Sequence, residues 1–136
     1  MQSKDIKQTA SFKASPHEVY DALMDSKKHS TFTGSAATIS RKVGGNISAY
    51  DGYIEGKNLE LVPNEKIVQS WRGSDWAEGH FSKVTFVLHK TSTGTKLSFL
   101  HEDVPAEFYK DIRQGWIDYY WAPMKEMLEK QGIQGI

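Results

Sequence analysis

The stretch VPAEFYKDIRQGWIDYYWAPMKEMLEK, Val104 to Lys130, decides how this chain is put together. From Pro105 onward, Phe108, Ile112, Trp116, Tyr119, Tyr120, Met124, Met127 and Leu128 are spaced to share one stripe of a helix of about six to seven turns. The stripe is mostly aromatic rings and Met, large and adaptable surfaces that must be covered. Two residues interrupt it. Gly115 costs roughly 1 kcal/mol against Ala in a helix interior, and Pro123 removes the amide that would bond the Tyr119 carbonyl. The expectation is that Gly115 lets the backbone approach whatever the stripe covers, while Pro123 bends the helix over it. A hinge for ligand entry is the alternative use of the same two residues.

Upstream, the hydrophobic period falls from helical to two. Ile6, Gln8, Ala10 and Phe12 suggest a first strand, and Ser15-Pro16-His17-Glu18 then matches a capping box with Pro at the first helical position. Val19, Tyr20, Leu23 and Met24 give that short helix an apolar face, ending near Asp25-Ser26. Lys27 to Gly34 is a second short helix or a loop. Six further strands follow, over Ala37–Val43, Ile47–Tyr50, Tyr53–Leu61, Lys66–Arg72, Phe81–Lys90 and Thr95–His101. Gly44-Gly45, Asp51-Gly52 and Thr93-Gly94 supply positive φ for tight hairpins, and Pro63-Asn64 and Gly73-Ser74 mark the other reversals. Neighbouring strands should pair antiparallel, with Val84 opposite His101. The expected class is α+β: a curved antiparallel sheet of about seven strands around a long C-terminal helix, with one or two short helices after the first strand.

Composition narrows function by exclusion. Lys plus Arg and Asp plus Glu both number 17, so no global charge points to nucleic acid or a membrane surface. The absence of Cys excludes disulfides, thiolate metal sites and thiol catalysis, and fits a reducing, cytoplasmic setting. The polar start MQSKDIKQTA is no signal peptide, and no apolar run reaches membrane-spanning length. The 136 residues are expected to form one domain with a core over about 9–130. His17, His29, His80, His89 and His101 lack helical metal-ligand spacing, and no H-E-x-x-H, G-x-S-x-G or P-loop run is present. No metal, cofactor or enzymatic activity is expected.

The order of elements resembles the helix-grip arrangement of the START and Bet v 1-like (SRPBCC) superfamily. More specifically, Phe32-Thr33-Gly34, Gly44-Gly45, Asp51-Gly52, Gly56, Leu59-Glu60-Leu61-Val62-Pro63, Trp71-Arg72, Trp76, Gly79-His80-Phe81, Val104-Pro105 and Gly115-Trp116 resemble the activator of heat-shock protein 90 ATPase family, and its C-terminal domain in particular. The runs WRGSDWAEGHFSKVTF and RQGWIDYYWAPMKEML carry most of the likeness, which extends from about Thr9 to Leu128. The resemblance implies a non-enzymatic, co-chaperone-like or stress-related binding module with a heat-shock protein 90 type chaperone as partner. In the full co-chaperone a separate N-terminal domain docks on the chaperone's middle segment. This chain has no room for it, so a free-standing copy of the C-terminal domain is expected. The superfamily also implies the alternative of a carrier or sensor of a small hydrophobic ligand between sheet and helix. It includes cyclases and hydrolases as well, but Glu102, Asp103 and Tyr109 do not make a convergent acid–base set.

Strand parity and helix phase nominate the lining of such a chamber: Phe32, Ile67, Gln69, Trp71, Val84, Phe86, Leu88, Leu97, Phe99, His101, Ile112, Trp116, Tyr120 and Met124. The same residues would equally serve as packed core, and the pattern leaves open whether the chamber is open or filled. His101 is either a strand-end histidine, partly exposed or bonded to backbone, or a polar anchor at the chamber's mouth, and Gln69 invites the same comparison. In the loop Ser74–Phe81, Trp76 beside Glu78 is a candidate partner contact, or else folds back to cap the sheet.

Overall fold

The computed structural model, which describes residues 2–134, follows the punctuation of the sequence. β1 (Ser3–Phe12) leads into α1 (Pro16–Met24), where the capping box forms: the Glu18 amide donates to Ser15 Oγ and the Ser15 amide to Glu18 Oε1, both at 3.2 Å. Residues 27–33 prove helical. α2 (Ser26–Thr33) starts where the Asp25 carboxylate accepts the Lys28 amide, and it stops at Gly34, whose φ of 76° ends the helix.

β2 (Thr38–Ile39), β3 (Asn46–Ala49), β4 (Ile54–Val62), β5 (Lys66–Gly73), β6 (Ser82–Lys90) and β7 (Thr95–Pro105) form a meander. β1 joins it beside β7, giving a seven-stranded antiparallel sheet in the order β1-β7-β6-β5-β4-β3-β2. The expected register holds in the β6–β7 hairpin, with Val84 opposite His101 and Phe86 opposite Phe99. β4 and β5 approach closely at Gly56, where an added Cβ would lie 1.7 Å from the Ser70 carbonyl oxygen.

Two strands differ from expectation. β2 spans two residues rather than Ala37–Val43 because Asn58 takes its backbone partners: Asn58 Nδ2 donates to the Ser40 carbonyl at 2.7 Å and the Lys42 carbonyl at 3.0 Å. β7 runs past His101 to Pro105, which moves that histidine from a strand end to the middle of its strand.

The C-terminal helical run has four pieces: a 3-10 turn (Ala106–Phe108), α3 (Tyr109–Gly115), a π turn (Trp116–Trp121) and α4 (Ala122–Gln134). Pro123 has no N–H for the Tyr119 carbonyl, and the chain just before it widens to five-residue spacing, with the Ala122 amide donating to the Ile117 carbonyl. The wider turn changes the phase of the stripe. Tyr119, expected inside, is 55% exposed, and Trp121, absent from the expected stripe, is buried beside Trp116. Phe108, Ile112 and Met127 are half-buried, and Trp116, Tyr120, Met124 and Leu128 are buried as expected.

Trp116 is the hub of the sheet–helix contact, its ring 4.3 Å from those of Phe99 and Tyr120 and 4.9 Å from that of Trp71. Trp116→Ala is therefore expected to lower unfolding free energy by about 3–5 kcal/mol, the usual range for a buried aromatic deletion. Urea unfolding measures this, and a loss below about 1 kcal/mol would mean that the indole is not packed.

Candidate functional site

Between sheet and helix the structure leaves a void of about 10 Å³, room for about one water molecule. Ile67, Gln69, Trp71, Phe86 and Tyr120 border it, while Phe32, Val84, Leu88, Leu97, Phe99 and Met124 interlock as core. The chamber is filled, and its nominated lining is mostly packing.

The polar groups inside are there to satisfy that packing. His101 is fully buried: the Trp116 indole N–H donates to its Nδ1 at 3.0 Å, so its own proton sits on Nε2 and donates to Ser82 Oγ at 2.7 Å. The Ser82 hydroxyl donates in turn to the Trp71 carbonyl at 3.2 Å. Neither expectation for His101 stands, because its partners are side chains and it lies at no cavity mouth. Gln69 is likewise internal. Its Oε1 accepts the Trp71 indole N–H at 3.2 Å and its Nε2 donates to Asn58 Oδ1 at 3.0 Å, tying the ring to the β4 bulge.

His29, passed over in the sequence, is buried in α2 with its Nε2 2.9 Å from the Tyr120 hydroxyl and its Nδ1 unpartnered among the described residues. Burial pushes its pKa down to about 4 and that of His101 down to about 3. Burial also raises the Tyr120 and Tyr50 hydroxyls, which interact with each other.

Besides hollows over the sheet of about 610 and 460 Å³, an aromatic groove of about 540 Å³ lies at the margin of the helix. Trp71, Trp116, Tyr120 and Ile54 are its buried floor. Phe108, Ile112 and Tyr119 wall it on the helical side, and Tyr50 and Tyr53 face them from the β3–β4 turn. That turn is held in left-handed backbone, with φ of 54° at Tyr50, 57° at Asp51 and 94° at Gly52. It is pinned from outside: the Ala36 amide donates to Asp51 Oδ1 at 2.8 Å, and the Asp51 amide to the Ala36 carbonyl at 3.0 Å. Tyr53 donates its hydroxyl to Asp75 at 2.6 Å, and burial, then this carboxylate, pushes its pKa up to about 12.

Gly115 lines the groove and does not serve close approach as expected. Its φ of −59° is ordinary helix, and an added Cβ would meet only Tyr119 Cδ2, at 3.7 Å. The glycine leaves space in the groove that any side chain would occupy.

Of the nominated residues, Trp71, Ile112, Trp116 and Tyr120 come together here. Tyr50, Tyr53 and Asp75 were missed because turn and loop side chains carry no periodic signal, and Asp111 because it stands off the apolar stripe of its helix. Trp76 is 4% exposed and stacks on Phe108 with ring centres 6.4 Å apart, so it caps the sheet rather than presenting an anchor. Glu78 remains exposed in the same loop.

The profile of the family described as Activator of Hsp90 ATPase homolog 1-like protein matches residues 13–129. The human activator of 90 kDa heat shock protein ATPase homolog 1 is 33% identical over 115 residues, 85% of this chain and 34% of that protein. The Dictyostelium discoideum activator is 32% identical, covering 84% of this chain and 30% of that protein. The chain thus spans about a third of the length of the curated relatives it matches. A crystal structure of an HSP90 activator from Plasmodium falciparum superposes with a TM-score of 0.84 at 26% identity, covering 92% of this chain and 96% of that one. The chain belongs to the Activator of Hsp90 ATPase homolog 1-like family.

Two outcomes follow from the site. His29 and His101 are held neutral, with folded pKa values below the ordinary 6.5. Their contribution is complete above pH 6.5 and is lost as pH falls toward about 4 and about 3, with a slope of at most about 1.4 kcal/mol per pH unit for each. Urea unfolding at successive pH values measures the slope, and His29→Phe should reduce it by about half. Separately, Gly115→Ala should stabilise by about 0.5–1 kcal/mol, seen as a higher denaturation midpoint at constant m.

Proposed function

We propose, taking membership of that family as premise, that this chain is a non-enzymatic module that contacts a heat-shock protein 90 type chaperone and promotes its ATPase cycle. The observation that carries the proposal is the family match over residues 13–129, together with the likeness to an HSP90 activator at a TM-score of 0.84. The packed interior supports it, since a filled core makes a rigid body whose contacts must be made outside. The exposed part of the Ser74–Phe81 loop, Glu78 included, is the proposed contact, while Trp76 holds the loop in shape from beneath. A stress-related, cytoplasmic setting goes with this reading.

A second reading, a carrier or sensor of a small hydrophobic ligand, is supported by the aromatic groove of about 540 Å³, a volume within the usual range for ligand pockets. It moves the expected ligand from the sheet–helix interior to the groove.

Titrating the isotope-labelled chain with a full-length heat-shock protein 90 type chaperone, with ATPase rates measured in parallel, tests the first reading. Amide shifts should cluster around Ser74–Phe81, stimulation should be measurable but weak, and Glu78→Lys should reduce both. No shift at chaperone excess would sink the proposal.

A further inference from the structure

We infer that the groove is a binding site for an organic cation carrying an apolar body, an inference that rests on the ligand-binding reading of that groove. Among the described residues lining it, the only charged side chains are the carboxylates of Asp75 and Asp111, and both are exposed. Neither forms an ion pair with another described residue, although Asp21 and Glu60 elsewhere on the surface do. The walls between them are aromatic. Tyr50 and Tyr119 meet edge to face with centres 6.1 Å apart, and Tyr119 keeps more than half of its surface in solvent. Ring faces attract a cation through their quadrupole, and nearby carboxylates add charge attraction, while an anion is repelled by both.

The orientation of the acidic rim supports selective charge recognition. Tyr53 spends its only hydroxyl proton on Asp75, which fixes one carboxylate oxygen and leaves the other lone pairs to accept. Asp111 stands in the first turn of α3, one turn before Gly115, where the missing side chain widens the space beneath Tyr119. An apolar body would lie over the half-buried Ile112 and the edge of Trp116, with its cationic end at the rim.

Three probes of one shape test this: phenylbutyl trimethylammonium, phenylbutanol and phenylbutanoate, titrated at low salt with tyrosine-ring and indole resonances as the readout. The cation should bind about tenfold tighter than the alcohol, and the carboxylate weakest. Asp75→Asn combined with Asp111→Asn should cut the cation's advantage severalfold, down to what the aromatic rings supply, and leave the alcohol's affinity unchanged. Gly115→Leu should weaken all three. If the alcohol binds as tightly as the cation, or the carboxylate binds best, the cationic assignment is overturned while the groove remains a ligand site. If none of the three shifts groove resonances, the cationic assignment and the ligand-binding reading both fail.

Discussion

The hydrogen bond from the Trp116 indole to His101 Nδ1 fixes the long helix on the sheet. It joins the middle of the helical run to the middle of β7, and both groups are buried, so slipping the helix by one residue would strand a donor and an acceptor away from water. Each stranded group would cost about 1–3 kcal/mol, on top of the lost ring contacts. The bond also fixes the histidine's tautomer, and through Ser82 it reaches the β5 backbone at Trp71. A second tie acts along the edge: Gln8 on β1 accepts the Trp121 indole N–H at 2.6 Å and donates to the Arg113 carbonyl at 3.0 Å. With Trp116 and Trp121 both held, the helix has one position available, and the groove is the space that this position leaves beside the β3–β4 turn.

Backbone conformations that disfavour folding gather around that space. Tyr50 is a bulky residue at positive φ, a conformation that costs of order 1–3 kcal/mol. Gly115 sits in ordinary helix where Ala would fit, and the π turn gives up the tighter α hydrogen-bond pattern. The three contribute differently to the groove: the first turns an aromatic ring toward the helix, the second removes a side chain, and the third swings Tyr119 outward. Positive φ also occurs at Asn64 in the β4–β5 turn and at Asp103 in β7, but neither residue borders the groove.

What could be read from the sequence was what depends on local period and local chemistry. The capping box at Ser15, the hairpins and the β6–β7 register follow from neighbours a few residues apart, and they stand as expected. The stripe from Phe108 to Leu128 was legible until Pro123 widened one turn, which exchanged Tyr119 for Trp121. That exchange needs the sheet, since the α phase and the π phase are both available to the isolated segment. Whether the interior held a chamber depended on how side-chain volumes interlock across seven strands, which parity does not encode. Asn58 escaped notice for a similar reason: its amide competes with strand β2 for carbonyls sixteen and eighteen residues away in sequence. The groove was half legible, through Trp71, Ile112, Trp116 and Tyr120 on regular elements, and its turn and loop side was not.

The pairing of β1 with β7, Lys7 opposite Leu100 and Phe12 opposite Thr95, constrains the order in which the molecule is assembled. The meander from β2 to β7 closes short loops only and is the entropically cheap part of the sheet. β1 must wait for a strand beginning more than eighty residues after its own end, and the cover provided by Trp116 comes later still. During synthesis the concave face of the meander, with Ile67, Trp71 and Phe86, is therefore finished with only α1 and α2 at hand to cover part of it, through Leu23 and His29. A chain of this topology passes through an interval in which its own aromatic surface needs protection from other chains.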